Sequence, residues 1–328
     1  MGELENSSHL RIKGANLISD TTPSSATQID ELRRRLNQAM VGKADVVEMV
    51  IACILAGGHL LIDDLPGLGK TTLSKALANS IGAKFARVQC TPDLLPTDIS
   101  GSNVFNQKTQ EFEFRKGPVF SDVLLADEIN RTTPRTQSGL LEAMGERQVS
   151  IDNHTMALAK TFFVIATQNP IESHGAYPLP EAQLDRFAIK LSIGYPSRSD
   201  EITLLANNLG DGGEYVKHEA VIGLQELESM QSQVRHLEVN ETVRGYLVDL
   251  ATATREHKEV PVGLSPRGVI TWQRMAQSWA WLGGRNFVTP DDVQAVAKPV
   301  LRLRISGSVE RADRIIEEVI ESVPVPGV

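Results

Sequence analysis

One short segment constrains this 328-residue chain more than its composition does: Asp64-Leu65-Pro66-Gly67-Leu68-Gly69-Lys70-Thr71-Thr72. An apolar run at 59–62 leads into it, and Leu73, Ala76, Leu77 and Ile81 follow on one helical face. Strand, glycine turn and helix in that order gather backbone N–H groups at a helix N-terminus. Small residues let the backbone approach a ligand, the lysine adds a cation, and the hydroxyl after it suits Mg²⁺. The fit is to a triphosphate, with Asp64, Pro66, Gly67, Leu68, Gly69, Lys70, Thr71 and Thr72 as the binding segment. Glycine usually stands where this chain has Asp64; Asp tolerates unusual backbone angles better than most residues. A chance Lys-Thr pair at an ordinary helix start is the competing reading, and the flanking strand and helix weigh against it.

The surrounding pattern predicts the fold class. Further short apolar runs at 85–90, 121–126, 162–166 and 188–193 alternate with mostly helical segments. That rhythm predicts an α/β core with a parallel sheet and covering helices. Two hairpins are expected within it, at about 100–116 and about 148–159, the second turning at Asp152 and Asn153. After Pro196 the strand signal stops, so 27–198 reads as the core and 199–328 as an all-α domain. Residues 1–26, rich in Ser, Thr and Asn, read as a mobile tail.

Two further strands end in residues suited to phosphoryl transfer. The run Val123-Leu124-Leu125-Ala126 delivers Asp127 and Glu128. A triphosphate hydrolase needs one carboxylate near the metal and one group that activates water. Asp127 with Thr71 suits the first task and Glu128 the second. Acids also end strands at surfaces for no chemical reason, and only the pairing with the glycine loop makes these specific. The run 162–167 delivers Gln168 and Asn169, where Asn169 can orient the water; a polar turn before Pro170 is the bland alternative. Arg186, just before the last core strand, and Arg267, in the first turn of a helix opened by Ser265-Pro266, are cations for the charge on the γ-phosphate. Arg267 opposes its own helix dipole there, although a surface ion pair would explain it as well.

Composition excludes other classes. With 33 basic and 41 acidic side chains, the net charge of -8 repels a nucleic-acid backbone. The longest uncharged apolar stretch, 49–62, is too short to span a bilayer and contains two glycines. No secretory leader is visible at the N-terminus, and Cys53 and Cys90 form no CxxC pair, which together predict a cytoplasmic protein. Trp272, Trp279 and Trp281 read as packing residues of the helical domain.

The segments 64–71, 124–131, Thr136-Gln137 with 140–144, 166–170 and 177–187 resemble, as a set, the MoxR family of AAA+ ATPases. The resemblance covers nearly everything after the tail, and Asp64 in place of Gly is a common form in that family. It implies a five-stranded αβα core, a smaller all-α lid, ATP or ADP with Mg²⁺ between them, and a hexameric ring. Val41 and Gly42 match the segment lining the adenine pocket. Arg186 matches an arginine finger acting on the neighbour's nucleotide, while Asn169 and Arg267 match the two sensors, the second serving either its own site or a neighbour's. The hairpins match inserts that face the pore or upper surface of the ring. The implied function is a chaperone-like remodeller or activator of a protein client, often with a von Willebrand factor A domain partner. A metal-chelatase motor subunit, a nucleic-acid motor or a purely regulatory ATP-bound module are the other readings, and the hairpins carry too few basic residues to favour the nucleic-acid motor.

Overall fold

The computed structural model describes residues 23–151, 154–170, 177–207, 219–305 and 307–327. The expected turn at Asp152 and Asn153 and most of the expected tail lie outside these. Helix α1 (Pro23–Ala39) begins inside the segment read as tail, because a proline's fixed φ suits the first turn of a helix.

Helix α2 (Ala44–Leu55) follows, then β1 (Leu60–Asp63), α3 (Lys70–Ser80) and β2 (Phe85–Gln89). Next come α4 (Pro96–Ser100), an antiparallel hairpin of β3 (Gly101–Asn106) and β4 (Glu111–Lys116), and β5 (Val123–Asp127). Helix α5 (Pro134–Glu146) leads to a second hairpin, β6 (Gln148–Ile151) with β7 (His154–Ala157). The core ends with β8 (Phe163–Gln168), the short α6 (Glu181–Leu184) and β9 (Ile189–Leu191). Helices α7 (Arg198–Asn207), α8 (Leu224–His236), α9 (Glu241–Glu256), α10 (Pro266–Leu282), α11 (Pro290–Ala295), α12 (Ala297–Leu301) and α13 (Val309–Ser322) complete the chain.

The five core strands form one parallel sheet in the order β2-β5-β8-β1-β9. Its interior strands are apolar on both faces because helices cover both. Leu60, Ile62, Val123, Leu125, Phe163 and Ile165 point to one side, where they share a core with α1, α2 and α3. Leu61, Leu124, Ala126, Val164 and Ala166 point to the other, toward Leu140, Leu141 and Met144 of α5. This alternation is the two-residue period of a strand.

The first of these cores continues without a break into the lid helices through Trp272, Met275, Val293 and Ile315. Two buried hydrogen bonds anchor the junction: Gln231 Nε2 donates to Ile54 O at 2.7 Å and Ser278 Oγ to Ala52 O at 2.8 Å. Trp272, fully buried, donates from Nε1 to Val293 O. Helix α11 is capped by Thr289, whose Oγ1 accepts from Asp292 N–H while the Asp292 carboxylate accepts from Thr289 N–H.

Candidate functional site

All five strands run the same way, so their C-terminal ends share one edge, where open α/β sheets collect ligands. The glycine loop leaves β1 there, Asp127 and Glu128 end β5, and Gln168 and Asn169 end β8. Gly67 (φ 84°) and Gly69 (φ 86°) adopt the left-handed conformation that side chains disfavour. No side chain caps α3 and no acid sits in its first turn, so its orphan N–H groups and dipole remain available to an anion.

Lys70 is buried, and its Nζ donates to Asp64 O at 2.5 Å. Burial pulls its pKa down, and the carboxylates of Asp64, Asp127, Glu128 and Asp63 pull the other way. Loop lysine and β5 acids therefore share one electrostatic site. The Asp64 carboxylate itself points elsewhere: it accepts from Ser192 Oγ at 3.0 Å and from the N–H groups of Ile193 and Gly194. What Asp64 offers the loop is its carbonyl.

The two acids are organised by Thr167, a fully buried residue that the sequence pattern shows only as part of a strand. Thr167 Oγ1 donates to Asp127 Oδ1 at 2.7 Å and accepts from Glu128 N–H at 2.8 Å. The second Asp127 oxygen accepts from Arg87 at 2.6 Å, and Glu128 Oε2 accepts from Gln89 and Arg131, each at 3.0 Å. Sequence reasoning missed Arg87 and Gln89; their two-residue spacing on β2 and its pairing with β5 were the available signal. Glu128 sits at φ 58°, ψ 50°, a left-handed conformation that costs a non-glycine residue about 1–3 kcal/mol. Asn169 is buried, its carbonyl 3.5 Å from Asn130 Nδ2, and it lines a cavity of ≈ 450 Å³ with Gln168, Leu184 and Lys190.

Val41 and Gly42 lie between α1 and α2. A side chain on Gly69 would touch Met40 Sδ at 3.4 Å, which puts this segment against the glycine loop. Gly42 (φ 72°) leaves no room for a Cβ beside the Asp200 carboxylate, and Lys43 Nζ donates to Tyr195 O at 2.9 Å. Segment 40–43 thus touches both the glycine loop and the start of α7.

Arg186 and Arg267 are not in this group. They lie at the opposite edge, where β1 and β9 begin, lining a cavity of ≈ 340 Å³ with His59, Gly145 and Phe187. A methyl on Gly145 would sit 3.5 Å from Arg267 Nη2 and 3.7 Å from Arg186 Nε, so the two guanidinium groups approach the same point. The structure thus brings together the loop, both acids and Asn169 on one edge, and the two arginines on the other. Among the described residues no group of three or more His, Cys, Asp or Glu is placed to hold a metal ion. Mg²⁺ commonly relies on one or two protein ligands plus substrate phosphates, so the Thr71 hydroxyl in the first turn of α3 and the Asp127 carboxylate at the end of β5, whose charge acts on Lys70, fit that ion's needs. No helix among the described residues is long and apolar enough to cross a membrane.

Comparison with known proteins agrees with the fold. Residues 59–189 match the model of the ATPase family associated with various cellular activities (AAA), and 252–323 match that of the AAA lid domain. YeaC of Bacillus subtilis is 46% identical over 298 residues, covering 89% of this chain and 92% of that protein. Chaperone MoxR1 of Mycobacterium tuberculosis is 37% identical, covering 90% and 81%. Protein MoxR of Paracoccus denitrificans is 29% identical, covering 89% and 94%. A crystal structure of a Cytophaga hutchinsonii protein superposes with a TM-score of 0.82 at 33% identity, covering 92% of this chain and 96% of that one.

Proposed function

The chain belongs to the MoxR family of AAA ATPases, and from that premise we propose that it is an ATP-driven remodeller of protein clients whose active site is completed by a second copy of itself. The separation of the two site halves carries this reading. Lys70 and Glu128 follow the ends of strands, whereas Arg186 precedes the start of β9 and Arg267 lies beside it. In a head-to-tail ring one copy's arginine edge meets the next copy's loop edge. Arg267 then serves the neighbour's nucleotide together with Arg186, since both approach Gly145.

In this reading the α3 N-terminus and Lys70 hold the phosphates, and Val41 and Gly42 face the adenine. Thr71 and Asp127 would hold Mg²⁺, which when bound would supply charge neutralisation at the phosphate oxygens. Thr167 orients Asp127 and fixes the Glu128 backbone. Glu128 accepts a proton from a water that Asn169 helps align; the water oxygen bonds to the γ-phosphorus as the bond to the β-phosphate oxygen breaks. The arginines of the adjoining copy offset the charge that spreads over the γ-oxygens. The name of the Mycobacterium relative supports a chaperone-type role. The exposed Phe105 and Phe112, stacked edge to face at 5.3 Å on the β3–β4 hairpin, support a protein client, of which a von Willebrand factor A domain protein is one form to test.

Three variants test the assignment. Glu128→Gln should bind ATP but turn it over about 10²- to 10⁴-fold more slowly. Lys70→Ala should lose nucleotide affinity. Arg186→Ala should lose about 10³-fold in turnover, yet an equal mixture with Lys70→Ala should regain roughly a quarter of wild-type activity, the share of interfaces that pair an intact loop with an intact arginine. Wild-type turnover in any single variant, or a silent mixture at assembling concentrations, sinks the reading.

A further inference from the structure

The arginine-lined cavity holds more positive charge than Arg186 and Arg267 account for. Arg147, Arg235 and Arg274 line it as well, and Asp185, the one acid lining it among the described residues, is taken by an ion pair with Arg304. Arg147 donates to Lys160 O and Gly57 O, and Arg235 to Gln231 O. Among the described residues the side chains of Arg267 and Arg274 make no hydrogen bond or ion pair, and Arg186 Nε is buried without a partner. Burial lowers the Arg147 pKa, and the nearby charges of Arg235 and Arg274 lower it further, as expected of a cationic cluster that lacks a counter-ion.

The arrangement on α10 is directional. Arg267, Ile270, Thr271 and Arg274 line the cavity at helical spacings of three, four and seven. Arg274 therefore stands two turns, about 10 Å, further along the helix axis than Arg267. Arg186 and Arg267 converge on one point by Gly145, and Arg274 lines the same cavity further along α10. Gathering these charges is unfavourable unless an anion with several charged groups enters. A nucleoside triphosphate is such an anion, and the adjoining copy would present one.

We propose that Arg274 is a third arginine reaching the polyphosphate bound by the neighbouring subunit, beside Arg186 and Arg267. This rests on the reading that catalysis is shared between copies. Arg274 is exposed, so its replacement leaves the core intact. Two full-length variants, Arg274→Ala and Arg274→Lys, are compared in turnover and in the ATPγS concentration that drives ring assembly, followed by sedimentation. Arg274→Ala should lose about 10- to 100-fold in turnover, the scale of one charge-assisted hydrogen bond, and need several-fold more ATPγS to assemble. Arg274→Lys should fall between Arg274→Ala and the parent. An equal mixture of Arg274→Ala with Lys70→Ala should regain activity.

Parental turnover and assembly in Arg274→Ala overturns the proposal. So does weakened assembly that is equal with and without ATPγS, which assigns Arg274 to acidic side chains of the adjoining copy. If the Arg186→Ala mixture recovers and the Arg274→Ala mixture does not, Arg274 acts within its own chain and this inference alone fails. If neither mixture recovers, the shared-site reading fails and takes this inference with it.

Discussion

At the scale of single residues, Thr167 decides whether the two catalytic candidates sit correctly. Its hydroxyl is fully buried and bridges Asp127 Oδ1 and Glu128 N–H. Thr167→Val keeps the shape and strands both groups, so the fold should lose about 1–3 kcal/mol, read from the urea midpoint. Turnover should drop with little change in KM, because the phosphate-binding loop is untouched; an unchanged turnover would show that Asp127 and Glu128 need no such bridge. The position of these acids at the end of a buried strand was legible beforehand, and their candidacy rests on what phosphoryl transfer requires. Thr167 was not, since a threonine in a buried strand is common, and only the parallel pairing of β5 with β8 reveals what its hydroxyl meets. Arg87 escaped for the same reason: its partner Asp127 is 40 positions away.

At the scale of elements, His59 joins three pieces at the foot of the sheet. It precedes β1, accepts from Val164 N–H of β8 at 3.1 Å through Nδ1, and donates from Nε2 to Met144 O of α5 at 3.2 Å. Burial lowers its pKa to about 4, opposed by the Met144 bond and aided by the charges of Arg147 and Arg267. The unfolded chain's histidine, near 6.5, takes a proton more readily than the folded one. Stability from this group is therefore complete above pH 6.5 and drains as pH falls to about 4, by up to about 3 kcal/mol. Denaturation midpoints across that range should fall less steeply for His59→Gln than for the parent; equal slopes would mean that the buried ring is not the group titrating. Strands and hairpins were readable from alternation and from a connection too long for a plain loop. Their sheet order was not, because β8 enters between β5 and β1, a matter of long-range pairing.

At the scale of the whole molecule, the lid is not an independent unit in packing terms. Its apolar centre runs into that of α1, α2 and α3. All three tryptophans lie on α10, so their fluorescence reports the lid while far-ultraviolet circular dichroism reports every helix. Both should follow one thermal transition; a fluorescence midpoint several degrees apart from the dichroism midpoint would separate the two parts. The sequence marked the change from α/β to all-α at Pro196 but could not reveal this continuity, since helical stripes say which face is buried and not against what. The carboxylate of Asp64 adds a mechanical link. It grips Ser192, Ile193 and Gly194, the last turn of chain before the lid helices begin. A glycine at that place would have given the loop more freedom and no grip. With the grip, any displacement of that turn would pass to the root of the helical half through a tether one side chain long.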